Sequence, residues 1–241
     1  MLSSRITVEI KKREYKLIDV NIPYGQLQMI KVLQKEFDYE VKGTIYVDDD
    51  YNFKSFEVRT DNSEIYSYGA SDWRVSFHTH PDNTAKKYGV RHFSPPSVDD
   101  VIEIYDHSIS FAPDTTKRGF EEISIVFANE GIYTLQVNRK RFEEFNKDNL
   151  PIEGLEAILN GTLTDFLVSE LKRHMKEINP NVNIEKPDIT IEQYCNILKQ
   201  LSIDTGNLYG FDMSFYSWKE LEKTGLDLKV CDYFLNKKVE D

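Results

Sequence analysis

Cysteine is scarce in this chain, which has only Cys195 and Cys231 among its 241 residues. Both lie in the C-terminal third, and neither belongs to a Cys-x-x-Cys pair. Their spacing therefore indicates neither a disulfide framework nor a zinc site built from thiolates. We expect buried thiols in a reducing compartment, and hence an intracellular, cytoplasmic protein. A disulfide between the two cysteines remains the alternative.

Long apolar runs are also missing. No stretch approaches the roughly 18 apolar residues of a membrane-spanning helix, so we expect no membrane span. Residues 1–18 alternate apolar and charged side chains and lack the apolar block of a signal peptide. We predict instead that residues 6–22 form two short strands with a break near Arg13-Glu14.

A basic surface is not evident either, because the net charge is −11. The compact basic runs 11–13 and 139–141 stand beside acids or aromatics, as is typical of a solvated face. A nucleic-acid partner is therefore not expected. An acidic surface is compatible with a basic protein or peptide partner, but solubility alone explains it and is the interpretation that we favour.

What the sequence does contain is a mixed pattern of helices and strands. Apolar residues at three- and four-residue spacing predict a helix over 25–38, and strands follow at 42–48 and 53–60. The stretch 73–77 predicts a strand that runs directly into His78, and a helical pattern begins at Ser97. Residues 120–128 and 132–137 predict a hairpin. We therefore predict an α/β fold with a mixed sheet flanked by helices.

The pattern changes after residue 138. Apolar residues over 155–175 predict a helix or a pair of helices, and Thr190-x-x-Gln193 is typical of a capping box that opens another helix. The end of the chain is rich in aromatics without a clear period. We predict a first unit over 1–138 and a mostly helical C-terminal extension over 139–241, with a separate domain as the alternative.

Two histidines stand one residue apart, at His78 and His80, and Pro81 follows them. If residues 73–79 form a strand, the two imidazoles project to the same side. Asp100 lies near the start of the next predicted helix. Two histidines and one carboxylate are a common catalytic zinc set, in which the fourth position is left for water. Taken singly, paired histidines also occur without a metal, and Ser97-x-x-Asp100 is also an ordinary helix start.

In combination these motifs resemble the JAMM, or MPN-plus, zinc metalloproteases. That family has a glutamate in a Glu-x-x-Gly context, then His-[Ser/Thr]-His-Pro at a strand end and Ser-x-x-Asp at a helix start. The matching residues here are Glu40 with Gly43, His78-Thr79-His80-Pro81 and Ser97-Val98-Asp99-Asp100. The resemblance covers residues 20–138, and residues 139–241 have no counterpart in it.

The resemblance implies an MPN/JAMM-like fold, which is cytidine-deaminase-like, with one catalytic Zn²⁺ on His78, His80 and Asp100. It implies hydrolysis of an amide by water activated at the zinc, with Glu40 as the general base and Ser97 stabilising the oxyanion. The substrates that it implies are conjugates of ubiquitin or a ubiquitin-like modifier to lysine. The alternatives are a zinc peptidase or amidase with another substrate and a metal-free interaction module. No feature indicates an oligomeric state.

One departure from the family pattern concerns the segment between His80 and Asp100, where 19 residues intervene. This is longer than the family pattern, and we interpret 83–91 as a loop insertion. We expect this loop to affect the substrate groove and to leave zinc binding intact. His92 is expected to be a free loop histidine, although an approach to the metal is the alternative. Asp99 is the alternative to Asp100 as ligand, and the register of the motif favours Asp100.

Overall fold

A computed structural model describes residues 14–48, 52–59, 73–81, 93–110, 119–120, 123–184 and 187–234. The predicted insertion at 83–91, His92 and the first predicted strand before Glu14 lie outside these residues. The strands are β1 (Glu14–Ile22), β2 (Lys42–Val47), β3 (Phe53–Arg59), β4 (Trp73–Thr79), β5 (Gly119–Phe120), β6 (Ile123–Phe127), β7 (Gly131–Val137), β8 (Phe211–Ser217) and β9 (Leu226–Phe234). The helices are α1 (Tyr24–Glu36), α2 (Val98–Ser110), α3 (Arg139–Phe145), α4 (Ile152–Ile178), α5 (Ile191–Tyr209) and α6 (Trp218–Thr224).

Six of the strands form one mixed sheet, in the order β3-β2-β4-β6-β7-β8. Only the central pair, β4 and β6, is parallel, and the other neighbours are antiparallel. Strand β6 has the sequence ISIVF and is buried at all five positions, as is typical of a strand covered on both faces. Strands β1, β9 and β5 form a second, three-stranded sheet. The predicted α/β class with a mixed sheet flanked by helices is confirmed.

Helices pack on both faces of the six-stranded sheet, because successive side chains of its strands enter different cores. Val126 packs in a core with residues of α2, α4 and α5. Its neighbours Ile125 and Phe127 pack in a second core with residues of α1, α6, β1 and β9. The period of two along β6 thus separates the two cores. Strand β4 follows the same rule, since Phe77 lies in the second core and His78, one residue on, projects toward the face that α2 covers.

The part of the chain after residue 138 is mostly helical and also contributes strands. Helix α4 is a single helix of 27 residues. Thr190 and Gln193 form the predicted capping box at the start of α5. Strand β8 pairs with β7 at the edge of the large sheet, and β9 pairs with β1 along its whole length. Main-chain hydrogen bonds therefore connect residues 211–234 to both sheets.

Two further features concern the predicted buried thiols and the expected lack of a membrane span. Cys195 is a free, half-buried cysteine. Among the residues that the structure describes, no helix combines the length and the apolar character needed to cross a membrane.

Gly43, the glycine of the Glu-x-x-Gly motif, lies in β2 against the ring of Phe77. A Cβ atom at this position would come within 2.3 Å of Phe77 Cζ and 2.4 Å of the Glu57 carbonyl oxygen. Overpacking of this kind costs about 1–3 kcal/mol. We therefore predict that Gly43→Ala lowers the free energy of unfolding by this amount, as measured by urea denaturation.

The matched control is Gly161→Ala in α4, where a Cβ would meet no atom within 4 Å. This exposed helical position should gain about 0.4–1 kcal/mol from the loss of glycine flexibility in the unfolded chain. Equal effects at Gly43 and Gly161 would show that close packing in β2 does not explain the motif glycine.

Candidate metal centre

Two secondary structure elements bring the predicted metal ligands together. His78 is the penultimate residue of β4, and His80 follows directly after the strand. Asp100 is the third residue of α2, which begins where the irregular segment 93–97 ends. All three side chains are buried, with exposed fractions of 4%, 2% and 7%. The site therefore lies at the carboxyl end of a central strand, beneath the N-terminus of a helix.

The polar atoms of the three side chains lie close enough together to share an ion, although two of the three distances are shorter than those between ligands on a bound zinc. Nε2 of His78 lies 3.2 Å from Nε2 of His80 and 2.9 Å from Oδ1 of Asp100, and Nε2 of His80 lies 3.4 Å from Oδ2 of Asp100. Ligands at zinc bond lengths of about 2.0–2.2 Å, set at tetrahedral angles, lie roughly 3.3–3.6 Å apart. The three side chains therefore form a buried group that could hold one metal ion, with two nitrogen atoms and one oxygen atom as ligands.

Asp100 belongs to this buried group and also forms part of the cap at the start of α2. Its Oδ2 accepts a hydrogen bond from the main-chain N–H of Ser97 at 2.5 Å, and its own N–H donates to Ser97 Oγ at 3.3 Å. This reciprocal pair is a capping box with aspartate at the third helical position. The helix start and the position of a metal ligand are thus compatible, because the cap itself fixes the carboxylate. Asp99, the alternative ligand, is exposed.

Neighbouring charges shift the pKa values of His80 and Asp100. Burial alone would lower the pKa of His80, but the hydrogen bond and charge of Asp100, and the charge of Glu40, raise it. Burial alone would raise the pKa of Asp100, but the two histidines lower it well below its ordinary value. The carboxylate is therefore ionised at neutral pH, and an incoming cation competes with a proton on His80.

Three hydrogen bonds, to Phe127, Gln34 and Ser94, hold His80 in place. Its N–H donates to the carbonyl of Phe127 at 2.8 Å, which continues the pairing of β4 with β6. Its carbonyl accepts from Nε2 of Gln34 at 2.8 Å, and its Nδ1 lies 3.1 Å from the carbonyl oxygen of Ser94. Since a carbonyl oxygen only accepts, Nδ1 carries the proton of this bond. Ligand histidines in metal sites usually have such a partner on the second ring nitrogen.

Glu40 lies beside the buried group, not within it. Its Oε1 is 3.9 Å from Nε2 of His80, and its side chain is 47% exposed. It follows α1 and precedes Val41, which is buried. The carboxylate can therefore face both the histidine and a molecule arriving from solvent.

Thr79, between the two histidines, holds the main chain next to Glu40. Its Oγ1 accepts from the N–H of Val41 at 2.9 Å, and its N–H donates to the Val41 carbonyl at 2.9 Å. Without the hydroxyl, a buried N–H would lose its acceptor, which costs about 1–3 kcal/mol. We predict that Thr79→Val lowers the free energy of unfolding by this amount in urea, while Thr79→Ser stays close to wild type. A Thr79→Val protein as stable as the wild type would show that the hydroxyl is not needed as the acceptor for the Val41 N–H.

Four residues that touch the site were not predicted from the sequence: Gln34, Ser94, Asn129 and Glu130. Gln34 is 1% exposed and bridges the His80 carbonyl and Oδ1 of Asn129. One signal was present, because Gln34 continues the inward spacing of Leu27 and Ile30 along α1. A polar residue at a core-facing helical position requires a hydrogen-bond partner. The other three positions carried no comparable signal.

Glu130 lies in the turn between β6 and β7 and points inward. Its Oε1 accepts from the N–H of Ser94 at 2.7 Å and from the hydroxyl of Tyr133 at 2.8 Å. Burial raises the pKa of Glu130 to about 7, although both hydrogen bonds oppose this shift. The turn thus places a second carboxyl group behind His80, separated from it by Ser94.

Comparison of the chain with family models, with curated proteins and with solved structures finds no match.

Proposed function

We propose that this chain is a zinc-dependent isopeptidase of the JAMM type, which hydrolyses the amide bond between ubiquitin, or a ubiquitin-like modifier, and lysine. The observation that carries the proposal is the buried group His78, His80 and Asp100 with the exposed carboxylate of Glu40 3.9 Å from it. The order of the elements supports the JAMM-like fold. The glutamate follows the first helix, the histidines end a strand, and the aspartate starts the next helix.

The donor set suits zinc, because imidazole nitrogens and a carboxylate are ligands of open catalytic zinc sites. When bound, zinc would supply a Lewis acid that lowers the pKa of water and polarises a carbonyl. His78, His80 and Asp100 would hold it. A zinc ion held by three protein ligands would remain open to other molecules.

Glu40 would move the proton of the reaction. Its carboxylate would accept a proton from water as the water oxygen attacks the amide carbon. It would then give that proton to the nitrogen as the C–N bond breaks, which releases a free amine and a carboxylic acid. This role needs a carboxylate that both the site and the substrate can reach, and partial exposure at 3.9 Å from His80 meets this need.

Ser97 would stabilise the developing oxyanion. Its Oγ accepts from the N–H of Asp100, which leaves its hydroxyl hydrogen free for another acceptor. The residue is half-buried at the entrance to α2. A positioned hydroxyl donor of this kind lowers the barrier by stabilising charge that exists only in the transition state.

The test is a cleavage assay with zinc-loaded protein on ubiquitin chains of each linkage, ubiquitin-like precursors and unrelated peptides. Chelated protein and Glu40→Gln serve as controls. Cleavage of a lysine isopeptide bond that both controls lack would support the proposal. Cleavage confined to unrelated peptides would favour the zinc peptidase or amidase. A protein that takes up zinc and cleaves no amide would overturn the enzymatic proposal, and one that takes up no zinc would favour an interaction module.

A further inference from the structure

Ser94 is the residue through which the main chain controls the ring of His80. It lies in the irregular segment 93–97, and its exposed fraction is 0%. Its carbonyl oxygen accepts from Nδ1 of His80 at 3.1 Å. With the proton on Nδ1, the lone pair that Nε2 has in the neutral ring is directed toward His78 and Asp100. The position of this one carbonyl therefore selects the ring nitrogen that is available to a metal.

The Ser94 main chain is held in turn by Glu130. The Ser94 N–H is buried and donates to Oε1 of Glu130 at 2.7 Å. Pro95 and Pro96 come next, and they have no N–H group with which to fix the segment. Their locked φ angles also make the stretch from Ser94 to Ser97 stiff, so that a shift of Ser94 is passed on toward the start of α2.

Glu130 is itself fixed by its surroundings. Its place in the β6–β7 turn is set by the hairpin, and the hydroxyl of Tyr133 donates to the same Oε1 at 2.8 Å. The ring of Tyr133 packs against Phe215 with 4.9 Å between the centroids. Oε2 of Glu130 is buried and has no hydrogen-bond partner among the described residues.

We propose that Glu130 is a positioning residue of the metal centre, which holds the Ser94 main chain so that its carbonyl directs Nε2 of His80 toward the ion. The inference rests on the metal site of the proposed function and is independent of the substrate. In this proposal Glu130 acts through the hydrogen bond that its Oε1 accepts from Ser94. The amide oxygen of a glutamine could accept from Ser94 and Tyr133 in the same way. The charge of Glu130 is not required.

The experiment compares Glu130→Ala with the conservative Glu130→Gln. Zinc affinity is measured by competition with a chromophoric chelator. The Nδ1–H proton of His80 is observed by NMR in the zinc-loaded protein, where its hydrogen bond to Ser94 protects it from exchange with water. Loss of an outer partner of a metal-binding histidine typically lowers metal affinity about 10–100-fold. We expect this loss, together with loss of the Nδ1–H resonance, in Glu130→Ala.

Glu130→Gln should bind zinc within a few-fold of wild type and keep the resonance. Tyr133→Phe is the matched control, because it removes the other donor to Oε1 and leaves the bond to Ser94. It should also bind zinc within a few-fold of wild type. If Glu130→Ala does not fold, Glu130→Leu replaces it, since leucine keeps most of the volume and cannot accept a hydrogen bond.

Wild-type zinc affinity and an unchanged Nδ1–H resonance in Glu130→Ala or Glu130→Leu would overturn the inference. So would a Glu130→Gln protein as weak as Glu130→Ala, because charge would then be the cause. These measurements need no substrate, so a protein that cleaves no amide can still support the role of Glu130. A wild-type protein that binds no zinc would overturn both proposals.

Discussion

Each of the single substitutions His78→Ala, His80→Ala and Asp100→Ala should abolish tight zinc binding. A group of three protein ligands that loses one keeps only two, and the alanine offers no replacement. The loss should exceed the roughly 10–100-fold caused by removal of an outer partner such as Glu130. The measurements are the metal content after gel filtration and the zinc affinity from chelator competition.

His174→Ala is the matched control for the histidines. His174 lies on α4, where its Nδ1 is 3.2 Å from Oε2 of Glu177, and it takes no part in the buried group. Its replacement should leave zinc affinity unchanged. Three ligand variants that retain wild-type affinity would show that the buried group is not the zinc site.

Thermal unfolding gives an independent measure of the same effect. A ligand that binds only the folded state stabilises it by about 2.7 kcal/mol at a free concentration of 100 times its Kd. Zinc should therefore raise the melting temperature of the wild type and of His174→Ala. It should leave that of the three ligand variants where it was, even if those variants differ in stability without metal.

Asp100 needs one further variant because it also caps α2. Asp100→Asn keeps an oxygen that can accept from the Ser97 N–H, and it removes the negative charge. We expect the metal-free protein to retain its stability more fully in Asp100→Asn than in Asp100→Ala. Zinc affinity should fall in both, because a neutral amide is a weaker ligand than a carboxylate. The pair thus separates the cap from the metal ligand.

The grouping of His78, His80 and Asp100 could be predicted because local geometry decides most of it. The period of two along a strand places both histidines on one side. A capping box places the carboxylate of Asp100 at the first turn of its helix. Only the approach of the helix to the strand depends on distant contacts. The same reasoning predicted β2, β3 and α1 within a few residues of their observed bounds.

The support behind His80 could not be predicted in this way. Ser94 contacts the histidine from a loop. Asn129 and Glu130 lie in a hairpin turn, where they contact Gln34 and Ser94. The loop and the turn meet only when the two cores of the sheet are packed. No periodic pattern in the sequence predicts that this loop and this turn are in contact. The segment 83–91 and His92 lie outside the described residues, so the expected effect of that loop on substrate turnover stays a prediction.

The end of the chain contains a strand pattern that was not predicted from the sequence. Phe211, Met213 and Phe215 alternate with less buried residues along β8, which is the pattern of a strand. The aromatic content of the region obscured this period. The pairing of β9 with β1 is different in kind, because it joins Leu226 to Ile22 across most of the chain. No local pattern could have predicted it.

Replacing Glu40 with glutamine should leave a folded protein that binds zinc and hardly hydrolyses its substrate. The carboxylate is 47% exposed and lies outside the buried ligand group. Exposed substitutions usually change stability by no more than about 0.5 kcal/mol, so the melting temperature should stay close to wild type. Zinc affinity should change little for the same reason. Turnover should fall by about 10²–10⁴-fold, as is typical when a general base is lost.

Glu36→Gln is the control for this variant, since Glu36 is an exposed glutamate at the end of α1, four residues before Glu40. It makes the same chemical change a few residues away and should retain wild-type turnover. The comparison requires the zinc content, the melting temperature and the turnover of each protein. A Glu40→Gln protein that binds zinc and cleaves at the wild-type rate would require another residue to be the base.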